Sequence, residues 1–166
     1  YAYYLLAINY YDIIADEKKD LKSLLESKKY FEIVLEKFSD TDYSLDAKYK
    51  LDLIQDFLAA KEIYIARHYI KKRKWIPAIN RLKTIVNDYN TTIYIEEALH
   101  RLVEIHYSIG LENEAKKYAK TLGYNYETSR WYEESYRIFN KDYKTIENYK
   151  KKIKKRSLTD KIKSFF

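Results

Sequence analysis

Apolar side chains recur at helical intervals through most of the chain. Ile79, Leu82, Ile85 and Val86 form one stripe, and a broader one runs through residues 99–107. Spacings of three and four residues place such side chains on one face of an α-helix, whereas a strand would alternate them. The pattern therefore predicts helices whose apolar stripes form the core.

The only proline of the chain, Pro77, lies within the stretch "IKKRKWIPAINR". Proline in a helix interior removes a hydrogen bond and costs roughly 3 kcal/mol, but in the first turn its missing N–H has no partner to lose. We therefore predict that a helix starts close to Pro77. The residues from Lys72 to Trp75 then form a tight turn between two antiparallel helices.

The same hairpin recurs further along the chain. Ala66 and Val103 occupy equivalent positions in the first helices, and Ala78 and Ala115 in the second helices, 37 residues apart in each pair. Gly110 lies at the second turn. This period is close to the roughly 34 residues of the tetratricopeptide repeat, in which small residues let two helices approach closely.

Two further segments complete the predicted architecture. A long helix, "DYSLDAKYKLDLIQDFLAAKEIYIARHYI", should pack its early turns on the preceding repeat and begin the next repeat with its last turns. Residues 141–166 are predicted to form a basic amphipathic C-terminal helix. The fold class is all-α: a tetratricopeptide-repeat superhelix, or α-solenoid, of stacked antiparallel helix hairpins, with about three units in residues 1–140.

Polar residues at the predicted helix starts can accept hydrogen bonds from otherwise unpaired backbone N–H groups. The candidates are Asp42 or Ser44 for the long helix, Thr92 for "IEEALHRLVEIHYSI", Thr128 or Ser129 for "RWYEESYRIF", and Asp142 for the tail.

Candidate catalytic and metal-binding chemistry is sparse. The sequence has no cysteine and only two glycines, so thiolate sites and a glycine-rich phosphate loop are excluded. Glu97 and His100 have the Glu-x-x-His spacing of di-iron helical bundles, but a second such pair is absent. No hydrolase motif is found. We expect no enzyme activity, no metal and no cofactor.

The net charge is +7, and most charges alternate in sign as on an ordinary solvated helix surface. Two basic clusters depart from this, "KKRK" at 71–74 and "YKKKIKKR" at 149–156. Basic clusters can contact phosphates, but no nucleic-acid-binding motif accompanies them, so we expect no nucleic acid. The second cluster could lie on an anionic membrane surface, dock on a partner or simply be solvated.

Most of residues 1–139 resembles the BamD family of tetratricopeptide lipoproteins in the outer-membrane β-barrel assembly machinery. The likeness rests on the order of "YSLDAKYKL", "DFLAAKEIYIARHYI", the helix opening "AINR" and the exit "NDYNTT". Asn90 replaces a proline that is usual in the family. Members begin with a lipidated cysteine and carry earlier repeats. Neither is found here, so we expect the C-terminal three repeats or so of a five-repeat protein.

The resemblance implies a non-catalytic scaffold at the periplasmic face of the bacterial outer membrane. Its partners would be the periplasmic region of a BamA-like barrel assembly protein and other subunits of the machinery. Unfolded outer-membrane proteins would bind repeats that are mostly absent here. Contact with the membrane would come only through a lipid anchor that this sequence lacks.

Within this interpretation we expect Arg81 to contact the partner, because an arginine one turn past Pro77 can pair in bidentate fashion with a carboxylate. Arg73 and Lys74, in the adjacent turn, are further candidates. Alternatively, Arg81 is an exposed residue that pairs with its own neighbours. A different class of function also stays open, that of a generic tetratricopeptide adaptor that binds a peptide or helix in its concave groove.

Overall fold

The computed structural model describes residues 1–12 and 21–140, which form seven α-helices and contain no strand. The predicted all-α helical-repeat fold is confirmed. The predicted C-terminal helix at 141–166 and the cap candidate Asp142 lie outside the described residues. The helices are α1 (Ala2–Asp12), α2 (Lys22–Lys37), α3 (Asp42–Lys71), α4 (Trp75–Asp88), α5 (Ile95–Ser108), α6 (Glu112–Asn125) and α7 (Arg130–Phe139).

In the first hairpin, aromatic side chains pack between α1 and α2. Tyr3 contacts Phe38 near the end of α2, whereas Tyr10 stacks on Tyr30 at a centroid distance of 5.8 Å, so the two helices run antiparallel. The Ser27 hydroxyl donates a hydrogen bond of 2.9 Å to the Ala7 carbonyl oxygen. Small side chains at this crossing let the two backbones approach closely.

Helix α3 contributes to two successive cores, as its length predicted. Leu51 and Ile54 pack with α1 and α2, and Ile63 and Ala66 pack with α4 and α5. A third core, built on Leu122, joins α5, α6 and α7. The array is therefore continuous, because single helices take part in more than one core.

The second and third hairpins repeat closely. Both α4 and α6 have 14 residues, and their starts at Trp75 and Glu112 lie 37 positions apart. Pro77 is the third residue of α4, which confirms its predicted place in a first turn. The preceding turn comprises residues 72–74, one fewer than predicted, because Trp75 already belongs to α4.

Among the helices of residues 21–140, the predicted caps are correct only at α7. Ser129 precedes α7, and its hydroxyl accepts a hydrogen bond of 3.1 Å from the Trp131 N–H. Helix α3 begins after Thr41, so Asp42 and Ser44 already lie inside it. Thr92 is not a cap either, because its hydroxyl donates to the Tyr89 carbonyl oxygen at 2.7 Å. The cap position of α5 is Tyr94.

Candidate protein-docking site

The turn between α3 and α4 is closed by backbone hydrogen bonds. The Lys74 N–H donates to the Tyr69 carbonyl oxygen at 2.9 Å, and the Arg73 N–H donates to that of Ile70, also at 2.9 Å. This arrangement places Arg73 in the left-handed region at φ 54°. A non-glycine residue there costs roughly 1–2 kcal/mol, because its Cβ crowds the following carbonyl oxygen.

The turn between α5 and α6 has the same bonds at the next repeat. The Leu111 N–H donates to the His106 carbonyl oxygen at 2.8 Å, and the Gly110 N–H donates to that of Tyr107 at 3.1 Å. Here Gly110 takes the left-handed position, at φ 85°. Glycine adopts this conformation without steric cost. The first turn thus carries an arginine where backbone geometry favours glycine.

The first turn also concentrates positive charge. Lys71, Lys72, Arg73 and Lys74 are all exposed, and none of them forms an ion pair with a residue of the described ranges 1–12 and 21–140. Ile76, two residues further on, is 75% exposed. An apolar side chain among unpaired cations is a combination that favours a protein partner with acidic groups.

Arg81 lies on α4, seven residues after Lys74. This separation corresponds to two helical turns and about 10 Å along the axis. Its Nη1 donates to both carboxylate oxygens of Glu62 on α3, at 3.2 Å each. The Arg81 side chain is 45% exposed, whereas that of Glu62 is 16% exposed. Arg81 therefore has a partner in its own chain, and nearly half of its side chain is exposed to solvent.

Of the three predicted partner-binding residues, Arg73 and Lys74 lie in the turn before α4, and Arg81 lies on α4 about two turns further on. We call Lys71–Lys74 with Ile76 and Arg81 the basic edge. Sequence reasoning missed Ile76, although it lies two residues after "KKRK"; its spacing of three from Ile79 did not distinguish it from the core stripe. The role of Glu62 could not be predicted from the sequence pattern, because its contact with Arg81 depends on how α3 and α4 pack.

A second polar feature joins α3, α5 and α7. The Arg67 guanidinium binds the buried carboxylate of Glu97 through two hydrogen bonds, one of them of 2.9 Å from Nε to Oε1. Arg101 lies 3.5 Å from the same carboxylate and also pairs with Glu104 at 2.6 Å. A buried carboxylate needs such partners, because desolvation without them is costly.

The buried side chain of His100 also belongs to this group of polar contacts. His100 Nδ1 lies 2.8 Å from the Ser135 hydroxyl, and its Nε2 lies 3.5 Å from Glu104 and 3.8 Å from Glu134. Trp131 covers the imidazole at a centroid distance of 5.1 Å. The position of α7 is therefore fixed by polar contacts as well as by apolar packing.

Glu104 is electrostatically the most perturbed of these groups. Burial opposes its ionisation, but hydrogen bonds from His100 and Arg101 outweigh burial and lower the pKa of Glu104 from 4.5 to about 2. The carboxylate is therefore ionised throughout the neutral range. The pKa of the Arg67 guanidinium is raised, chiefly by its hydrogen bond to Glu97.

Glu97 and His100, which have the Glu-x-x-His spacing of di-iron helical bundles, bind different partners. Glu97 binds two arginines, and His100 binds Ser135. Within residues 1–12 and 21–140, no three His, Asp or Glu side chains are grouped so that they could hold a metal ion. None of the helices in these ranges combines the length and hydrophobicity that crossing a bilayer requires.

The fold is that of a helical-repeat protein of the tetratricopeptide type, and its basic edge is exposed. The chain belongs to the family described as "YfiO: Outer membrane lipoprotein", whose model matches residues 1–122.

Curated relatives agree with this assignment. The chain is 47% identical over 138 residues to an outer membrane protein assembly factor BamD of Rickettsia prowazekii, which covers 83% of this chain and 55% of the relative. It is 39% identical over 140 residues to the BamD of Caulobacter vibrioides, with 84% and 46% covered. The chain thus spans about half the length of these two relatives.

Proposed function

We propose that this chain is a non-catalytic part of the machinery that assembles β-barrel proteins in the outer membrane. It acts at the periplasmic face of that membrane and uses its basic edge to bind the periplasmic region of a BamA-like barrel subunit. The other subunits of the machinery are further partners. The names of the relatives support the assembly role, since both are assembly factors.

One observation carries the choice of the basic edge as the docking surface. Arg73 occupies a left-handed position that costs stability, within four consecutive cations that have no ion pair in the described part of the chain. The left-handed Arg73 lowers stability, and cations at the C-terminal end of α3 gain only roughly 0.3–1 kcal/mol each from the helix dipole. Both are understandable if the turn meets carboxylates of a partner, because cations arranged in advance speed encounter and fix register.

Arg81 extends this surface along α4. Because Glu62 is mostly buried, it holds the Arg81 guanidinium in place while nearly half of the arginine side chain stays exposed. A guanidinium has five N–H donors, so it can keep its bond to Glu62 and donate to a second carboxylate. A lysine at this position would retain the charge but lose the planar fork.

Affinity measurements over a range of salt concentrations test the proposal. The chain is immobilised, and the purified periplasmic region of the BamA subunit is the analyte. We expect the triple variant Lys72→Glu, Arg73→Glu, Lys74→Glu to raise Kd at least tenfold and to weaken the salt dependence. The matched control is Lys116→Glu, Lys117→Glu, Lys120→Glu on α6, which changes the net charge equally.

Equal losses in both triple variants would mean that binding follows net charge and not the basic edge. Unchanged binding in the first variant would remove the basic edge from the interface. The adaptor alternative makes a different prediction, because a peptide bound in a concave groove would be insensitive to the 72–74 turn. Binding of nucleic acid with a steep salt dependence would contradict both interpretations.

A further inference from the structure

A groove opens directly beside the basic edge. It has a volume of about 400 Å³ and is bounded by the end of α3, the start of α4, the last turns of α5 and the end of α7. The residues that line it include Ile70, Trp75, Tyr107, Ser108 and Ile138. We call this the turn groove, since Ile70 and Trp75 immediately flank the Lys71–Lys74 turn.

The turn groove offers an apolar surface. Trp75, Tyr107 and Ile138 provide large aromatic or aliphatic side chains. Its two charged residues neutralise each other, because Arg101 Nη1 lies 2.6 Å from Glu104 Oε2. Trp75 is only half-buried, and within the described residues its indole N–H has no hydrogen-bond acceptor. An incoming segment would therefore meet a largely apolar surface that includes the exposed part of Trp75.

We infer that the turn groove receives an apolar anchor side chain, aromatic or large aliphatic, from the same partner segment whose acidic residues meet the basic edge. This inference rests on the proposed function. Charge complementarity selects the occupant, because a segment entering beside four unpaired cations is favoured when carboxylates flank its apolar residue. Tryptophan, tyrosine and arginine are also the residues that most often dominate interface energetics.

The basic edge and the turn groove should affect different rate constants of binding. Exposed charges at an interface rim act mainly on the association rate and its salt dependence. An apolar anchor in a closely packed pocket acts mainly on the dissociation rate, because its contacts must be broken before the partner leaves. Kinetic measurement therefore separates the turn groove from the basic edge.

The test uses the full chain and the purified periplasmic region of the BamA subunit. Ser108→Trp places a large ring in the turn groove, and Trp75→Ala removes one of its walls. We expect each variant to raise Kd about 30-fold or more, through faster dissociation, with the salt dependence unchanged. The matched control is Thr121→Trp, since Thr121 is also an exposed residue near a helix end whose hydroxyl bonds a backbone carbonyl.

The outcomes distinguish the two hypotheses. If the charge-reversed turn loses affinity while Ser108→Trp keeps it, the proposed function stands and the turn groove is overturned. If no variant changes affinity, both fail. If Ser108→Trp lowers the melting temperature and leaves the affinity intact, the groove belongs to the packing of the chain itself. A loss of affinity in Trp75→Ala counts only when circular dichroism shows an unchanged fold.

Discussion

Arg73 and Gly110 occupy the same position in successive turns of the array, 37 residues apart, and both have a positive φ, 54° and 85°. The surrounding hydrogen bonds are also equivalent. The two residues differ in charge and in conformational cost. Gly110 adopts the positive φ without steric cost, whereas Arg73 carries a positive charge and is strained in this conformation.

Replacing Arg73 separates these two effects. We expect Arg73→Gly to stabilise the protein by about 0.5–1 kcal/mol, because glycine relieves the left-handed strain. This corresponds to a melting temperature roughly 1–4 °C higher. Arg73→Ala is the control, since it removes the charge but keeps a Cβ. Thermal unfolding followed by circular dichroism provides the measurement, and equal melting temperatures in both variants would contradict the assignment of strain.

The second glycine, Gly123, is required by a neighbouring ring and not by its backbone conformation. A Cβ built on Gly123 would lie 2.7 Å from Cε2 of Tyr132, on α7. Alanine gains roughly 1 kcal/mol of helix propensity, but overpacking of this kind typically costs 1–3 kcal/mol. We therefore expect Gly123→Ala to lower the free energy of unfolding by about 1 kcal/mol.

A double-mutant cycle tests this explanation. In a Tyr132→Ala background the overlap is gone, so Gly123→Ala should stabilise the chain by about 0.5–1 kcal/mol. Urea unfolding of the four variants gives the coupling free energy. A Gly123→Ala effect of the same sign in both backgrounds would rule out the Tyr132 contact as the cause.

Local features of the sequence predicted much of the fold. The long helix was predicted to within one residue at its end, because apolar spacing over many turns leaves little ambiguity. Pro77 located the start of α4 by chemistry that needs no tertiary contact. The cap at Thr92 was wrong for a local reason, since its hydroxyl donates to the Tyr89 carbonyl oxygen three residues earlier and α5 begins only after Tyr94.

The candidate site was predicted less completely. Arg73, Lys74 and Arg81 follow from the basic cluster and the helix start. The pairs Arg67–Glu97 and His100–Ser135 connect residues 30 and 35 positions apart, on helices that meet only in the folded array. Residue spacing along the sequence does not predict such contacts between helices. The turn groove is also a product of packing, because its walls come from four helices.

The low pKa of Glu104 predicts a particular acid sensitivity. Its folded value of about 2 lies below the ordinary 4.5, so the unfolded chain takes up a proton first as the pH falls. The stability contributed by Glu104 is therefore complete above about pH 4.5 and is lost between about pH 4.5 and 2. Melting temperatures measured from pH 6 to 2 should fall less steeply in Glu104→Gln than in the parent chain. Parallel profiles would show that Glu104 does not contribute.

Arg81 and Glu62 allow the fold and the interface to be tested apart. Arg81→Glu places two carboxylates together and should cost up to about 1 kcal/mol, the scale of a partly exposed ion pair. The exchanged variant Arg81→Glu, Glu62→Arg should regain that stability, because opposite charges face each other again. We expect neither variant to bind the BamA periplasmic region normally, since losing one member of a charge pair that is desolvated in the interface costs about 2–5 kcal/mol. Glu62→Gln, which keeps Arg81 and frees its guanidinium, should retain binding. Normal affinity in the folded exchanged variant would exclude Arg81 from the interface and confine the contact to the 71–74 turn.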